Sequence, residues 1–175
     1  MSTAYISAGS NLGDRAASLR GAMRALAETP GVRVAAVSAL YETAPVGGVP
    51  QPPYLNLAAR LEIPPSPAQA SAPAHTHALA HTPETLLAEM QRIERAFGRR
   101  RETEIRWGPR TLDLDLLLFD NETRATDFLT LPHPRMWERA FVLIPLREVA
   151  CAADALLREK LEKFPASDPS VRLLA

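Results

Sequence analysis

Asp113 and Asp115 stand two residues apart in the run Arg106-Trp107-Gly108-Pro109-Arg110-Thr111-Leu112-Asp113-Leu114-Asp115-Leu116-Leu117-Leu118-Phe119-Asp120. The second half of this run reads as a strand and Gly108-Pro109 as a turn. Side chains alternate faces along a strand, which puts the two carboxylates on one face, roughly 7 Å apart at Cα. Leu112, Leu114, Leu116 and Leu118 are expected on the other face, with Leu117 and Phe119 continuing the Asp face, so the strand is a central one. Carboxylate oxygens suit Mg²⁺, which keeps several waters and also binds substrate phosphates. Arg106, Arg110 and Trp107 could supply phosphate forks and a stacking surface. The pattern therefore admits metal-assisted phosphoryl chemistry. An Asp-x-Asp alone favours the other reading, a solvated strand end with a surface ion pair.

The elements that must position this pair follow from pattern. Residues 3–8 form a short strand, a loop with Gly9, Asn11 and Gly13 follows, and Asp14 caps a helix with Leu19, Met23 and Leu26 inward. The loop matches neither the P-loop nor the dinucleotide fingerprint. Residues 32–41 read as a second strand, 43–53 as a Gly/Pro-rich loop and 54–63 as a third strand. On the third strand Tyr54, Asn56 and Ala58 share a face; Asn56 is either a satisfied core amide or a ligand contact. Residues 64–82 read as a flexible insertion in which His75, His77 and His81 lack acidic or Cys partners. Thr82-Pro83-Glu84 starts a second helix with Leu86, Met90, Ile93 and Phe97 buried, closed by Gly98. Arg99, Arg100 and Arg101 follow, either a solvated run or a polyphosphate clamp. Residues 128–131 are a candidate strand, 141–149 a short helix starting near Pro145, 155–164 an amphipathic helix and 165–175 a loosely held tail. The order β-α-β-β-α-β plus C-terminal helices matches a ferredoxin-like α+β sandwich, with helices on one face of an antiparallel sheet.

The 175 residues suffice for one domain, and the 20 acidic and 20 basic side chains balance, which argues against nucleic-acid or membrane attraction. One cysteine, Cys151, rules out an internal disulfide framework. The first residues lack a signal-peptide pattern and no apolar run spans a membrane, so a soluble cytoplasmic protein is expected; a monomer acting on small molecules is the accompanying expectation.

Arg106 to Asp115 resembles the signature of the 6-hydroxymethyl-7,8-dihydropterin pyrophosphokinase family. Residues 4–13 (Ala-Tyr-Ile-Ser-Ala-Gly-Ser-Asn-Leu-Gly) resemble that family's first strand and loop. Tyr41-Glu42-Thr43, Gln51 to Asn56, Gln91 to Glu94, Leu131-Pro132-His133 and Arg139-Ala140-Phe141 follow in family order. The resemblance implies transfer of the terminal pyrophosphate of ATP to a pterin hydroxymethyl group, two Mg²⁺ ions, and the ferredoxin-like α+β fold. By the same resemblance Asp113 and Asp115 bridge the metals, Arg99 and Arg110 bind phosphates, and Trp107 seals the site. Tyr54 and Phe141 sandwich the pterin, Asn56 reads its edge, and Thr43 and Val46 share that task through their backbone. Gln91, Glu94, Arg101, Thr130, His133 and Arg139 fall on the nucleotide side. The chain departs from the family pattern in the insertion, in an arginine loop one residue longer, in Glu102 or Thr103 at a frequent Lys position, and at Pro134 and Phe128. Another metal-dependent phosphate enzyme, such as a hydrolase, and an RNA-binding module on the same sheet are the alternatives; the neutral charge balance and the carboxylates argue against the second.

Overall fold

The structure, a computed structural model, describes residues 1–45, 49–65, 81–102, 104–105 and 108–174. In chain order the elements are β1 (Ser2–Ser10), α1 (Arg15–Glu28), β2 (Arg33–Val37), β3 (Tyr41–Thr43), β4 (Tyr54–Ile63), α2 (Pro83–Ala96), β5 (Asp113–Phe119), β6 (Arg124–Ala125), β7 (Thr130–Leu131), α3 (Ala140–Val149), α4 (Ala155–Glu162) and β8 (Val171–Leu173), with a 3-10 turn at Met136–Glu138. The helix starts obey local chemistry. Asp14 accepts from Ala17 N at 2.9 Å at the head of α1, and Thr82 accepts from Thr85 N with Pro83 at the first turn of α2. Gly98, at φ +85°, turns the chain out of α2 into the arginine loop.

The main sheet runs β5-β1-β4-β3-β8, with β2 also on β4, and every pairing is antiparallel; β5, expected as a central strand, lies at an edge, and its second apolar face is covered by helices. Residues 32–41, expected as one strand, divide into β2 and β3, both laid along β4. Ser38 bridges the break: its N donates to Ala58 O at 2.9 Å and its Oγ accepts from Ala58 N at 3.0 Å. The chain end, expected to be loose, instead adds β8 to the free edge of β3. An unpaired three-residue edge is thereby covered.

Helices cover both faces of the sheet, not one. α1 and α2 pack on Leu55, Leu57, Ala59, Leu61, Leu112, Leu114 and Leu116. α3 and α4 pack on Tyr5, Ala58 and Leu117 of the opposite face. Pro145 lies inside α3 and does not begin it. Its missing N–H leaves the Phe141 carbonyl without the usual helical donor. A register shift between Tyr5 and Ile6 makes Leu117 the extra residue of a bulge in β5. The alternation therefore inverts, and Phe119 joins the α1/α2 core while Leu118 packs against the other cluster. The bulge falls after Asp115, so the carboxylate pair keeps its common face. Because α3 and α4 cover only part of the second face, the rest of it remains as the floor of a cavity.

Candidate active site

That floor is a row of directly paired residues. Asp113 on β5 pairs with Gly9 on β1, and Gly9 pairs with Asn56 on β4. One step along, Asp115 pairs with Ser7 and Ser7 with Ala58. Asp113 and Asn56 thus share a face two strand spacings apart, about 10 Å. Gly9 is the gap between them: a Cβ there would lie 3.0 Å from Asn56 Oδ1. Asn56 is buried, and its Nδ2 donates to Thr43 Oγ1 at 2.8 Å, which fixes the amide and keeps Oδ1 toward Gly9.

The cavity above this floor measures about 510 Å³ and is lined by Thr43, Tyr54, Asn56, Arg110, Asp113, Asp115, Arg139 and Phe141 together with Ser7 and Gly9. A second cavity of about 260 Å³ is lined by Gln91, Arg101, Asp115, Phe128, Thr130 and His133. Asp115 belongs to both walls. Arg139, expected on the nucleotide side, lines the larger cavity, with its guanidinium 5.6 Å from the Phe141 ring centre and 4.0 Å from Asp115 Oδ2. Val46 and Trp107 lie outside the described residues.

The charges form one connected network. Arg99 is buried and donates to Glu94, to Asp113 and, at 3.2 Å, to Glu104. Arg110 Nη1 donates to the other Asp113 oxygen at 2.8 Å. Arg101 grips Glu94 Oε2 through Nε and Nη2 at 2.9 and 2.7 Å, and Leu114 N donates to Glu94 Oε1 at 2.7 Å. Of the three consecutive arginines, Arg99 thus reaches Asp113, while Arg101 engages Glu94. Glu94 lines neither cavity and is 1 % exposed; it works underneath, as the anion that orients two arginines and the start of β5.

The two aspartates differ in environment. Burial works to raise the Asp113 carboxyl, but the Arg99 and Arg110 guanidiniums outweigh it and hold the group below the usual range. For Asp115, burial and the charge of Asp113 push the carboxyl up to about 7, with Arg139 pulling the other way. That is a site short of positive charge. Two oxygen donors on one face with such a deficit fit a hard divalent cation. Among the described residues no third His, Cys, Asp or Glu completes a metal cluster, so water and phosphate oxygens would fill the shell. Burial, followed by Arg139, also lowers His133, which favours a neutral imidazole on the wall of the smaller cavity.

Asn11 is a site residue that sequence reasoning passed over as a turn former. It is buried; its Oδ1 accepts from Arg110 N at 2.7 Å, and its Nδ2 donates to Gln51 Oε1 at 2.9 Å and Pro52 O at 3.2 Å. One side chain thus ties the first loop to the 43–53 loop and to the signature turn. Tyr54 OH closes the same junction, 3.1 Å from Gly108 O and 3.3 Å from Gln51 Oε1. The available signals were Gly9, since a glycine inside a strand marks close approach, and an Asn whose amide can serve three partners.

A family model described as 7,8-dihydro-6-hydroxymethylpterin-pyrophosphokinase (HPPK) matches residues 5–151. This chain belongs to the HPPK family. A 2-amino-4-hydroxy-6-hydroxymethyldihydropteridine pyrophosphokinase of Bacillus subtilis is 44% identical over 146 residues, 83% of this chain and 77% of the relative. One of the same description from Methylorubrum extorquens is 41% identical over 173 residues, 97% of this chain and 96% of the relative. Among solved structures, a Plasmodium falciparum HPPK-DHPS triple mutant with STZ-DHP superposes with a TM-score of 0.62 at 12% identity. It covers 98% of this chain, which spans 46% of that longer protein. The superposition bears out the α+β fold. The HPPK match contains both cavities' principal residues and stops short of α4 and β8.

Proposed function

We propose that this HPPK-family chain transfers the terminal pyrophosphate of ATP to the hydroxymethyl group of 6-hydroxymethyl-7,8-dihydropterin, giving AMP and the pterin diphosphate in folate biosynthesis. The observation that carries this reading is Asp115, which stands on the common wall of an aromatic and amide-lined cavity and a smaller one that mixes Gln91, Arg101 and His133 with Leu and Phe side chains. Two substrates that must meet at one atom need such a junction.

Asp113 and Asp115 would hold Mg²⁺, two ions in this reading, which when bound neutralises phosphate charge and aligns the attacking and leaving oxygens. Tyr54 and Phe141 offer flat faces to the pterin. Asn56, held by Thr43, offers Oδ1 to the pterin's donor edge, with Val46 assigned to the same edge and Trp107 to the seal. Gln91, Arg101, Thr130 and His133 receive the nucleotide; Glu94 acts from beneath by holding Arg101, and Arg139 stands at the junction. Arg99 and Arg110, paired with Asp113 before substrates arrive, are placed to exchange that carboxylate for phosphate oxygens. The pterin hydroxymethyl oxygen bonds to the β-phosphorus as the bond from that phosphorus to the α–β bridging oxygen breaks and AMP leaves, and the hydroxyl proton is released to water. Positioning and charge do most of the work in such a step. A single cytoplasmic, monomeric domain completes the reading, consistent with its lone cysteine. Among the described residues no helix is long and apolar enough to cross a membrane.

The test is a coupled assay with ATP, Mg²⁺ and 6-hydroxymethyl-7,8-dihydropterin on the wild type and Asp113→Ala. AMP should form only when pterin is present, and the variant should lose on the order of a hundredfold or more in rate. Phosphate release without pterin would mark a hydrolase, and no AMP from folded wild type would sink the proposal.

A further inference from the structure

The larger cavity has a wall beyond the reach of the HPPK match. Asp168 and Ser170 line it beside Thr43, Ala44 and Asn56, whereas the match ends at residue 151. Both stand on the turn that leads into β8. Ser170 N and Oγ donate to Asp168 Oδ1 at 2.8 and 2.5 Å, and Val171 N donates to Asp168 O at 2.9 Å. The carboxylate's direction is thus set by its own turn, and these bonds hold its carboxyl below the usual range.

The turn is itself anchored to the site. Val171 pairs with Thr43 and Arg172 with Glu42 across β3 and β8. Glu42 carries ion pairs to Arg172 and, at 3.0 Å, to Arg15, whose Nη1 donates to Pro53 O at 2.8 Å. Leu174 N donates to Leu40 O at 2.8 Å. The segment is therefore locked to the strand bearing Thr43 and to the loop entering Tyr54.

Sheet order gives the carboxylate its task. Asp113 and Asp115 lie on β5 at one edge of the sheet, and β8 lies at the other, beyond β4 and β3. A pterin with its hydroxymethyl group at the aspartate pair points its opposite end, the amino and ring N–H edge, toward β3 and β8. That edge is rich in donors, and Asn56 Oδ1 and the Asp168 carboxylate are acceptors. We propose that Asp168, delivered by the C-terminal turn, is a specificity-determining contact that accepts a hydrogen bond from the donor edge of the heterocyclic acceptor. This rests on the pterin pyrophosphokinase reading above.

The test uses full-length Asp168→Ala and Asp168→Asn, with pterin and ATP varied separately and melting temperatures recorded. Asp168→Ala should raise the pterin KM roughly three- to tenfold, the loss of about one hydrogen bond, with the ATP KM unchanged and the melting temperature lowered by no more than about 4 °C, since the turn's own bonds to Ser170 are exposed. Asp168→Asn keeps an acceptor and should fall between. A pterin KM within twofold of wild type in Asp168→Ala overturns the inference. So does a rise in both KM values with a melting temperature lowered further than that, which marks a merely structural turn. Absence of pterin-dependent AMP already in the wild type is a different result: it removes the activity reading, and this contact with it.

Discussion

Replacing Glu94 should cost more stability than replacing any carboxylate that faces the cavities. Glu94 is 1 % exposed and accepts from Arg99, Arg101 and Leu114 N. Glu94→Ala leaves the Arg99 guanidinium, itself 5 % exposed, with Glu104 and Asp113 alone, and leaves the Leu114 amide without its acceptor. Breaking a buried ion pair costs about 3–5 kcal/mol, and an orphaned buried amide about 1–3 kcal/mol. The two overlap because one side chain serves both, so about 3–5 kcal/mol is the expected total. For a chain of this size each kcal/mol moves the melting temperature by about 2–4 °C, which gives a fall on the order of 6–20 °C. Glu94→Gln retains a shape-matched acceptor for Leu114 N and should fall by clearly less. In either variant Arg99 loses the anion that holds it inward beside Asp113, so it competes less for that carboxylate and the half-saturating Mg²⁺ concentration should fall. Differential scanning fluorimetry and a Mg²⁺ titration of the coupled assay read both effects. A Glu94→Ala melting temperature within about 2 °C of wild type would refute the argument, since a buried anion shared by two arginines cannot vanish at no cost.

Two further outcomes follow from the sheet. Gly9→Ala places a methyl 3.0 Å from Asn56 Oδ1, so the amide must move; the pterin KM should rise severalfold while the ATP KM holds, and equal pterin KM values would show that the floor tolerates the methyl. Tyr41 donates to Glu148, and that bond, then burial, pushes its hydroxyl up to about 12. With an unfolded value near 10, the neutral phenol is favoured by folding, so this contribution is fully present below about pH 10 and is lost as pH rises through about 12. Tyr41→Phe should therefore lose less stability than wild type in urea midpoints taken from pH 9 to 12, and parallel curves would contradict the assignment.

The contrast between Asp115 and Asn11 shows why some of the site was legible in the chain and some was not. Asp113 and Asp115 share a face because a strand alternates with period two, a rule that needs no partner. The same rule put Tyr54 and Asn56 together on β4, and the caps at Asp14 and Thr82 depend only on residues three places on. It failed at Leu118 and Phe119, where the shift opposite Tyr5 and Ile6 inverts the faces, because a bulge is decided by the partner strand. Asn11, β8 and the place of Glu94 beneath the cavities escaped it for the same reason. Asn11 acquires its role from Gln51 and from Arg110, 40 and 99 residues away, and β8 exists through β3, 130 residues upstream at Glu42 and Arg172. A polar side chain announces that it must be satisfied when buried, but not by what. This is also why the three consecutive arginines could not be ranked from their order. Arg99 reaches Asp113 because Glu94, one turn back on the buried side of α2, holds it inward, while Arg101 meets the other Glu94 oxygen from the wall of the smaller cavity. The approach of Arg99 to Asp113 is thus set by an acid beneath the site, and exchanging Glu94 tests that arrangement more directly than exchanging any of the three arginines.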